Sequence, residues 1–355
     1  MNIGTTSHQE NVIVRLYTDE GVMGYGEAPH MVGHSALGET PWTVRVVLRD
    51  KLIPALLGQD PIRIESVWEL MQKAVPGNNR AKSSIILACY DIAGKALHTP
   101  VYNLLGGKVR DSIPLSWSLP IDEPDVIVKE ALEMAERGWT ILKLKTGRNE
   151  PAADVEAMKR VREAVGPNIR IRADANQAYD PRTAIRVVSA MAEWDLEFME
   201  QPCPAWDLDG MATVRRASPV MIMADESLKA NPISEIVRQG AADALSIYVC
   251  DPGGILNAKK LAVAAELNHL QGYIGGALES VIGSSAGLHI AASSPSVSLG
   301  CEMSGQYLLS EDIGAEKIPL KDGCLVVPTA PGLGLNIDEE KIKRYEVGAG
   351  ETFHA

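Results

Sequence analysis

Asp174 in IRADANQ, Glu200 in FMEQP and Asp225 in MADES recur at intervals of about 25 residues, close to the length of one strand–helix unit. Each follows a short run read as a strand. If those strands are adjacent and parallel, the three carboxylates emerge at the same end of a sheet and converge. Hard oxygen ligands in that arrangement suit Mg²⁺ or Mn²⁺ rather than zinc, which prefers His and Cys. One unit upstream lies Lys143-Leu144-Lys145, and strand alternation puts both lysines on the same side as the acids. A lysine beside a second ammonium and a divalent cation is pushed toward neutrality, which makes it a usable base near pH 7. This is the equipment for moving a proton next to a carboxylate. Such a carbon acid is weak because deprotonation puts a second negative charge on the carboxylate, and a cation aimed at that charge lowers the barrier.

The elements that must position these residues form an α/β pattern. Strands are expected at Ile113–Trp117, Ile141–Lys145, Ile169–Ala173, Glu197–Met199, Val220–Ala224, Ala244–Val249, Gly272–Ile274 and Ser296–Gly300. Helical segments at Glu123–Arg137, Pro151–Val165, Pro181–Trp194 and Leu256–Asn268 alternate with them. Eight such units predict a (β/α) barrel with its active residues at the strands' C-terminal ends. The first 110 residues read differently. A hairpin of Asn11–Thr18 and Gly21–Gly26 precedes helices near Trp42–Leu57, Ile62–Ala74 and Ala81–Leu97, an α+β module. The expected organisation is a cap over 1–110, a barrel over 111–324, and a tail over about 325–355 that packs back onto the cap.

Composition excludes several function classes. The net charge is −12, from 34 basic and 46 acidic side chains, with no basic stripe to bind nucleic acid. Five scattered cysteines (Cys89, Cys203, Cys250, Cys301, Cys324) without CxxC spacing read as reduced thiols of a cytoplasmic protein. The polar start MNIGTTSHQENV lacks a signal core, and no run has the length of a membrane span. The expected partners are a small carboxylate and further copies of the chain, with neither nucleic acid nor membrane.

KxK, DANQ, EQP and ADES, in this order and spacing, resemble the enolase superfamily in its muconate-lactonizing-enzyme subgroup. The similarity runs from about Val14 to the C-terminus and takes in GYGEA, LLGG, PGGI and the PGLGL tail. The resemblance implies an α+β capping module over a modified (β/α)₇β TIM-like barrel. It implies Asp174, Glu200 and Asp225 as metal ligands and Lys145 as the proton-transferring group. Lys143 would hold the substrate carboxylate and stabilise the enediolate, and Glu302 in GCEMSG matches an acid of the cycloisomerase site. Asn176, just past the first ligand, is a candidate supporting group.

Departures from the pattern matter as much. The subgroup's second acid/base lysine, at the end of the sixth strand, is replaced by Tyr248 in ALSIYVCDPGG. A phenol is a poor base but a workable acid or donor. The replacement disfavours two-base proton transfer and leaves one-base cycloisomerisation or β-elimination, with Tyr248 able to protonate a departing group. The histidine that mandelate-racemase-like dehydratases need after the seventh strand is missing from YIGGA, and His269 and His289 fall in helical stretches. Glu279 in GALES faces either the mouth or a helix start, and Trp117 either lines the pocket wall or fills core. Pro29–Pro41 and Val75–Asn79 read as loops over the mouth. Relatives carry an extra strand before Asn11, so the cap sheet lacks an edge or this start is late. Cycloisomerase-like chemistry is the leading expectation. A dehydratase or epimerase using Tyr248 comes second, and a catalytically silent binding relative third.

Overall fold

The computed structural model describes residues 9–30, 38–147, 150–348 and 350–354. The cap begins with an antiparallel hairpin of β1 (Val12–Tyr17) and β2 (Met23–Ala28), in the register Val12 to Ala28. The start of the chain and most of Pro29–Pro41 lie outside the described residues, as does the question of an added edge strand. The hairpin packs on the helix Asn79–Ala96 through glycines. A Cβ on Gly26 would stand 1.7 Å from Ser84 O, and one on Gly24 2.3 Å from Ala88 O. The expected helix at Trp42–Leu57 is broken into Pro41–Val47, a π turn at Leu48–Leu52, and Ile53–Leu56, where Pro54 interrupts regular bonding. Ile64–Ala74 completes the helical part.

The segment expected as the first barrel strand divides in two. β3 (Ser112–Pro114) leaves the barrel and pairs with β12 (Cys324–Val326), which pairs in turn with β11 (Leu320–Lys321). The barrel starts instead at β4 (Trp117–Leu119) and continues through β5 (Ile141–Lys145), β6 (Arg170–Asp174), β7 (Leu196–Glu200), β8 (Met221–Ala224), β9 (Ala244–Ile247) and β10 (Gln271–Ile274). These seven strands pair in parallel and in sequence order. The eighth position is not a regular strand at Ser296–Gly300. Cys301 closes the ring there through parallel bridges to Ile274 and Leu115. Left-handed Gly300 packs against Pro114, where a Cβ would lie 2.4 Å from a carbonyl oxygen. This local kink explains why strand geometry fails.

Helices Pro124–Glu136, Pro151–Val165, Pro181–Ala192, Leu208–Ala217, Ile233–Gln239 and Ile255–Leu267 follow their strands. Helix Val281–Ser293 is buried along its whole length and touches both units. Inside the barrel, Phe198, Met223, Ala244, Tyr273 and Leu299 form an apolar floor. Arg172 crosses it, fully buried, between the rings of Phe198 and Tyr273, and bonds Glu197 and Leu299 O. Alternation from this floor aims Lys143, Lys145, Asp174, Glu200 and Asp225 toward the C-terminal mouth. The tail reaches the cap: Arg15 pairs with Glu339 at 2.8 Å and Leu333 N donates to Asp91. Among the described residues no helix is long and apolar enough to cross a membrane.

Candidate active site

The parallel register sets Lys145, Asp174 and Glu200 side by side across β5, β6 and β7. Asp225 follows β8 directly and starts the short helix Glu226–Ala230. All four are buried or nearly so, and their charges are interleaved. Lys143 Nζ donates to Glu200 Oε2 at 3.0 Å and Glu302 Oε2 at 2.5 Å, with Asp174 Oδ2 at 3.6 Å. Lys145 Nζ donates to Asp174 Oδ2 at 2.6 Å and Asn176 Oδ1 at 3.3 Å. Glu302 is held at the mouth by its own N–H, which donates to Ile274 O, and by Ser118 on the other side. The expected lysine–carboxylate set is therefore assembled in one place.

Electrostatics in this buried cluster follow from who neighbours whom. Burial works against ionised Asp174, but Lys145 and Lys143 outweigh it and hold its pKa below the usual range. For Glu200 burial comes first, opposed by Lys143 and reinforced by Asp174, Asp225 and Glu302, and the pKa rises. Asp225 rises in the same way, burial outweighing Lys229 while Glu226 and Asp174 add repulsion. Burial pulls both lysines down, yet Glu200 and Glu302 lift Lys143 far above its ordinary value and Asp174 lifts Lys145. Burial and the neighbouring Lys143 ammonium both press Lys145 toward neutrality, and the Asp174 carboxylate 2.6 Å away opposes them.

Ammonium groups stand among the carboxylates here. Among the described residues no three His, Cys, Asp or Glu side chains are drawn tightly enough about one point to ligate an ion as they stand. The donor chemistry nevertheless fits a hard divalent cation. Glu226 Oε2 is buried without a hydrogen-bond donor, and Asp225 Oδ1 meets only the Lys229 ammonium at 2.9 Å. Burial first, and repulsion from neighbouring carboxylates after it, raises Glu200 and Asp225, and a cation between them would relieve the repulsion.

Several expected residues occupy different places. Trp117 does not line the pocket. It begins β4 with its ring outside the barrel, donating Nε1 to Glu130 at 2.9 Å and meeting Trp139 edge-on at 4.8 Å. Its neighbour Ser118, in register with Lys143, faces inward instead. Glu279 touches neither lysine. It is buried at the seam between cap and barrel, accepts from Ala277 N at 2.8 Å, and leaves Oε1 without a partner. Nor does it cap the helix Val281–Ser293, a task taken by Ser280. Asn176 does support the site: its N–H donates to Asp174 Oδ1 and its amide to Glu226 Oε1. Tyr248 stands one residue past β9, on the wall across the ring from β5. His289 is buried beside Leu333 O, and His269 turns the chain after Leu267.

The sequence reading missed four contributors. Gln201 Oε1 accepts from Asp225 N and Ser227 N, both at 2.9 Å, which fixes the third acid. Ser118 was findable from alternation. Lys229 was findable from its i,i+4 spacing to Asp225 on a helix. Asp251, which meets Lys229 at 3.5 Å and Arg80 of the cap at 3.1 Å, gave no signal, since its partners are distant in sequence.

Comparison with known proteins agrees with this geometry. Residues 126–341 match the enolase C-terminal domain-like family, and 1–106 the mandelate racemase / muconate lactonizing enzyme N-terminal domain. The chain is 34% identical to a chloromuconate cycloisomerase of Cupriavidus necator, over 96% of its own length and 93% of that protein's. The solved N-succinyl Arg/Lys racemase of Bacillus cereus superposes with a TM-score of 0.93 at 34% identity, covering 98% of this chain and 93% of that one. The muconate lactonizing enzyme of Pseudomonas putida gives a TM-score of 0.91 at 32% identity, with 95% of each chain covered. A barrel with a lysine pair and acids at its mouth, beneath an α+β cap, is matched along its length by isomerases of both kinds, and the chain belongs to the mandelate racemase / muconate lactonizing enzyme family of the enolase superfamily.

Proposed function

We propose that this enzyme abstracts or delivers a proton next to the carboxylate of a small substrate, in the manner of a muconate cycloisomerase, with a divalent cation as cofactor. The observation that carries the reading is the convergence of Lys143 and Lys145 with Asp174, Glu200 and Glu302 at one end of the barrel, with Asp225 close enough to act on Glu200. Asp174, Glu200 and Asp225 would hold Mg²⁺ or Mn²⁺, which supplies Lewis-acid stabilisation of the negative charge that builds on the substrate carboxylate.

The chain's own groups do the rest. Lys145, reachable from the mouth and held by Asp174 and Asn176, gives or takes the proton at the carbon. Lys143, fully buried and fixed by Glu200 and Glu302, stays an ammonium and faces the developing oxyanion. Tyr248, across the ring, is a donor rather than a base. Burial, reinforced by Asp225 and Glu302, raises its pKa well above the ordinary phenol value. That asymmetry favours one-base chemistry, either lactone-forming cycloisomerisation or β-elimination with Tyr248 protonating the departing group.

Two assays test the reading. With Mg²⁺ and cis,cis-muconate, a cycloisomerase bleaches the conjugated diene's ultraviolet absorbance. In D₂O, a panel of carboxylic acids followed by proton NMR should lose the signal next to the carboxylate for at least one member. Lys145→Ala should slow that exchange by about 10²–10⁴-fold. Exchange at the wild-type rate in Lys145→Ala would assign the proton transfer to another group, and no exchange by the wild type with any acid would leave a ligand-binding relative as the better description.

A further inference from the structure

The wall of the mouth opposite Lys145 contains a cation that does not come from the strand. Lys229, on the short helix Glu226–Ala230, places Nζ 3.7 Å from the centroid of the Tyr248 ring. The same Nζ lies 2.9 Å from Asp225 Oδ1 and 3.5 Å from Asp251 Oδ2. Asp251 is itself pinned from the cap, where Arg80 Nη2 and Nε donate to its Oδ1 at 3.1 and 3.2 Å. Two anchored carboxylates therefore hold the ammonium under the ring. Gly275 bounds the ring elsewhere: a Cβ there would stand 2.2 Å from Tyr248 Cε2 and 2.8 Å from Ser246 Oγ. Gly275 has no left-handed φ to account for it, so what the position supplies is room for the ring.

We propose that Lys229 is a positioning residue that fixes Tyr248 as a hydrogen-bond donor to the substrate on the face opposite Lys145. The pair then selects carboxylates that present an oxygen acceptor (hydroxyl, carbonyl or second carboxylate) on that face. The proposal rests on the enolate reading above. An ammonium within about 6 Å of an aromatic face is held there electrostatically and draws electron density from the ring, which strengthens the O–H as a donor. Burial, reinforced by the field of Asp225, Glu302 and Glu200, keeps the proton on the hydroxyl. A buried donor left without an acceptor is costly, so substrates lacking one are rejected. Asp225, Lys229, Asp251 and Arg80 thus join the acid after β8, the wall after β9 and the cap helix in one ionic chain.

The test labels the full chain with 3-fluorotyrosine and identifies the Tyr248 ¹⁹F resonance by its loss in Tyr248→Phe. Lys229→Met should move that resonance by more than its line width, and Lys229→Arg should return it toward the wild-type position. Gly275→Ala should move it with Lys229 intact, and serves as the second variant if Lys229→Met fails to fold. A Tyr248 resonance unmoved in either folded variant overturns the proposal. So does a change in Lys229→Met confined to Mn²⁺ affinity measured by electron paramagnetic resonance, which would make Lys229 a counter-ion of Asp225 alone. In the exchange screen, acids with a second oxygen function should half-saturate exchange at a concentration at least 100-fold lower than matched acids without one, and equal half-saturating concentrations overturn the selectivity. Absence of all exchange in the wild type instead defeats the enolate reading, while the ¹⁹F measurements still decide the role of Lys229.

Discussion

Lys143 and Lys145 are two residues apart on one strand, yet the structure gives them different work because their partners differ. Lys143 is enclosed by Glu200 and Glu302 and stays charged, whereas Lys145 keeps a path to the mouth beside Asp174 and Asn176. Tyr248 lies on the far wall, outside the hydrogen-bonded lysine cluster. Tyr248→Phe should therefore leave Lys145-dependent exchange of the substrate proton with D₂O within about threefold of wild type, while removing a single donor typically costs overall turnover about 10²-fold or more. Exchange that vanishes with the phenol would make Tyr248 the base. At this scale much was legible from sequence. Strand alternation carried Lys143, Lys145 and the three acids to one mouth, and the family resemblance carried Glu302. What alternation could not carry was where a side chain lands when its strand starts late. Sequence alone leaves Trp117 open between pocket wall and core, and because the barrel strand begins at that residue, Ser118 takes the inward position.

Elements in this molecule meet through backbone as often as through side chains. The cap hairpin lies against the helix Asn79–Ala96 at Gly24 and Gly26, where hardly any distance separates the missing Cβ positions from helix carbonyls. Gly26→Ala should push the hairpin off the helix and destabilise the fold by about 3 kcal/mol, read as a lowered urea midpoint. An unchanged midpoint would show that the two elements can slide apart freely. Helix positions in the barrel were readable because amphipathic spacing and proline starts mark them. The closing strand was not, since Cys301 completes the ring by isolated bridges that depend on the kink at Gly300 and on Pro114, a residue far away in sequence.

At the scale of the whole molecule, the cap and barrel are joined by carboxylates aimed at one helix. Glu27, from the cap hairpin, accepts from Ser280 N, Ser280 Oγ and Gly283 N at the start of Val281–Ser293. Asp312 accepts from Val281 N there as well. The helix N-terminus offsets part of the cost of these buried charges. Burial still dominates, raising Glu27 from 4.5 to about 7 and Glu279, where Glu27 adds repulsion, to about 8. A folded-state pKa above the unfolded value means that the native state holds the proton more tightly. The associated stability is fully present below about pH 4.5 and is lost as pH rises through 7 to 8. For Glu27 this amounts to roughly 3 kcal/mol. Glu27→Gln should flatten the pH dependence of the urea midpoint between about pH 5 and 8 relative to wild type, and an unaltered slope would place the titration elsewhere.

The sequence by itself determined the alternation of strands and helices, the ordered run of lysines and acids, and the family to which they point. Those features are local or periodic, and a strand's two-residue repeat and a unit's fixed length survive without knowledge of any distant contact. Only the tertiary structure decided that Lys229 reaches under Tyr248, that Arg80 of the cap steadies Asp251, and that Glu27 and Glu279 meet at the seam. Each of those outcomes depends on two segments brought together by closure of the barrel and docking of the cap. The energy of such a contact lies in the distance and burial of the pair, quantities that neither partner's local sequence encodes.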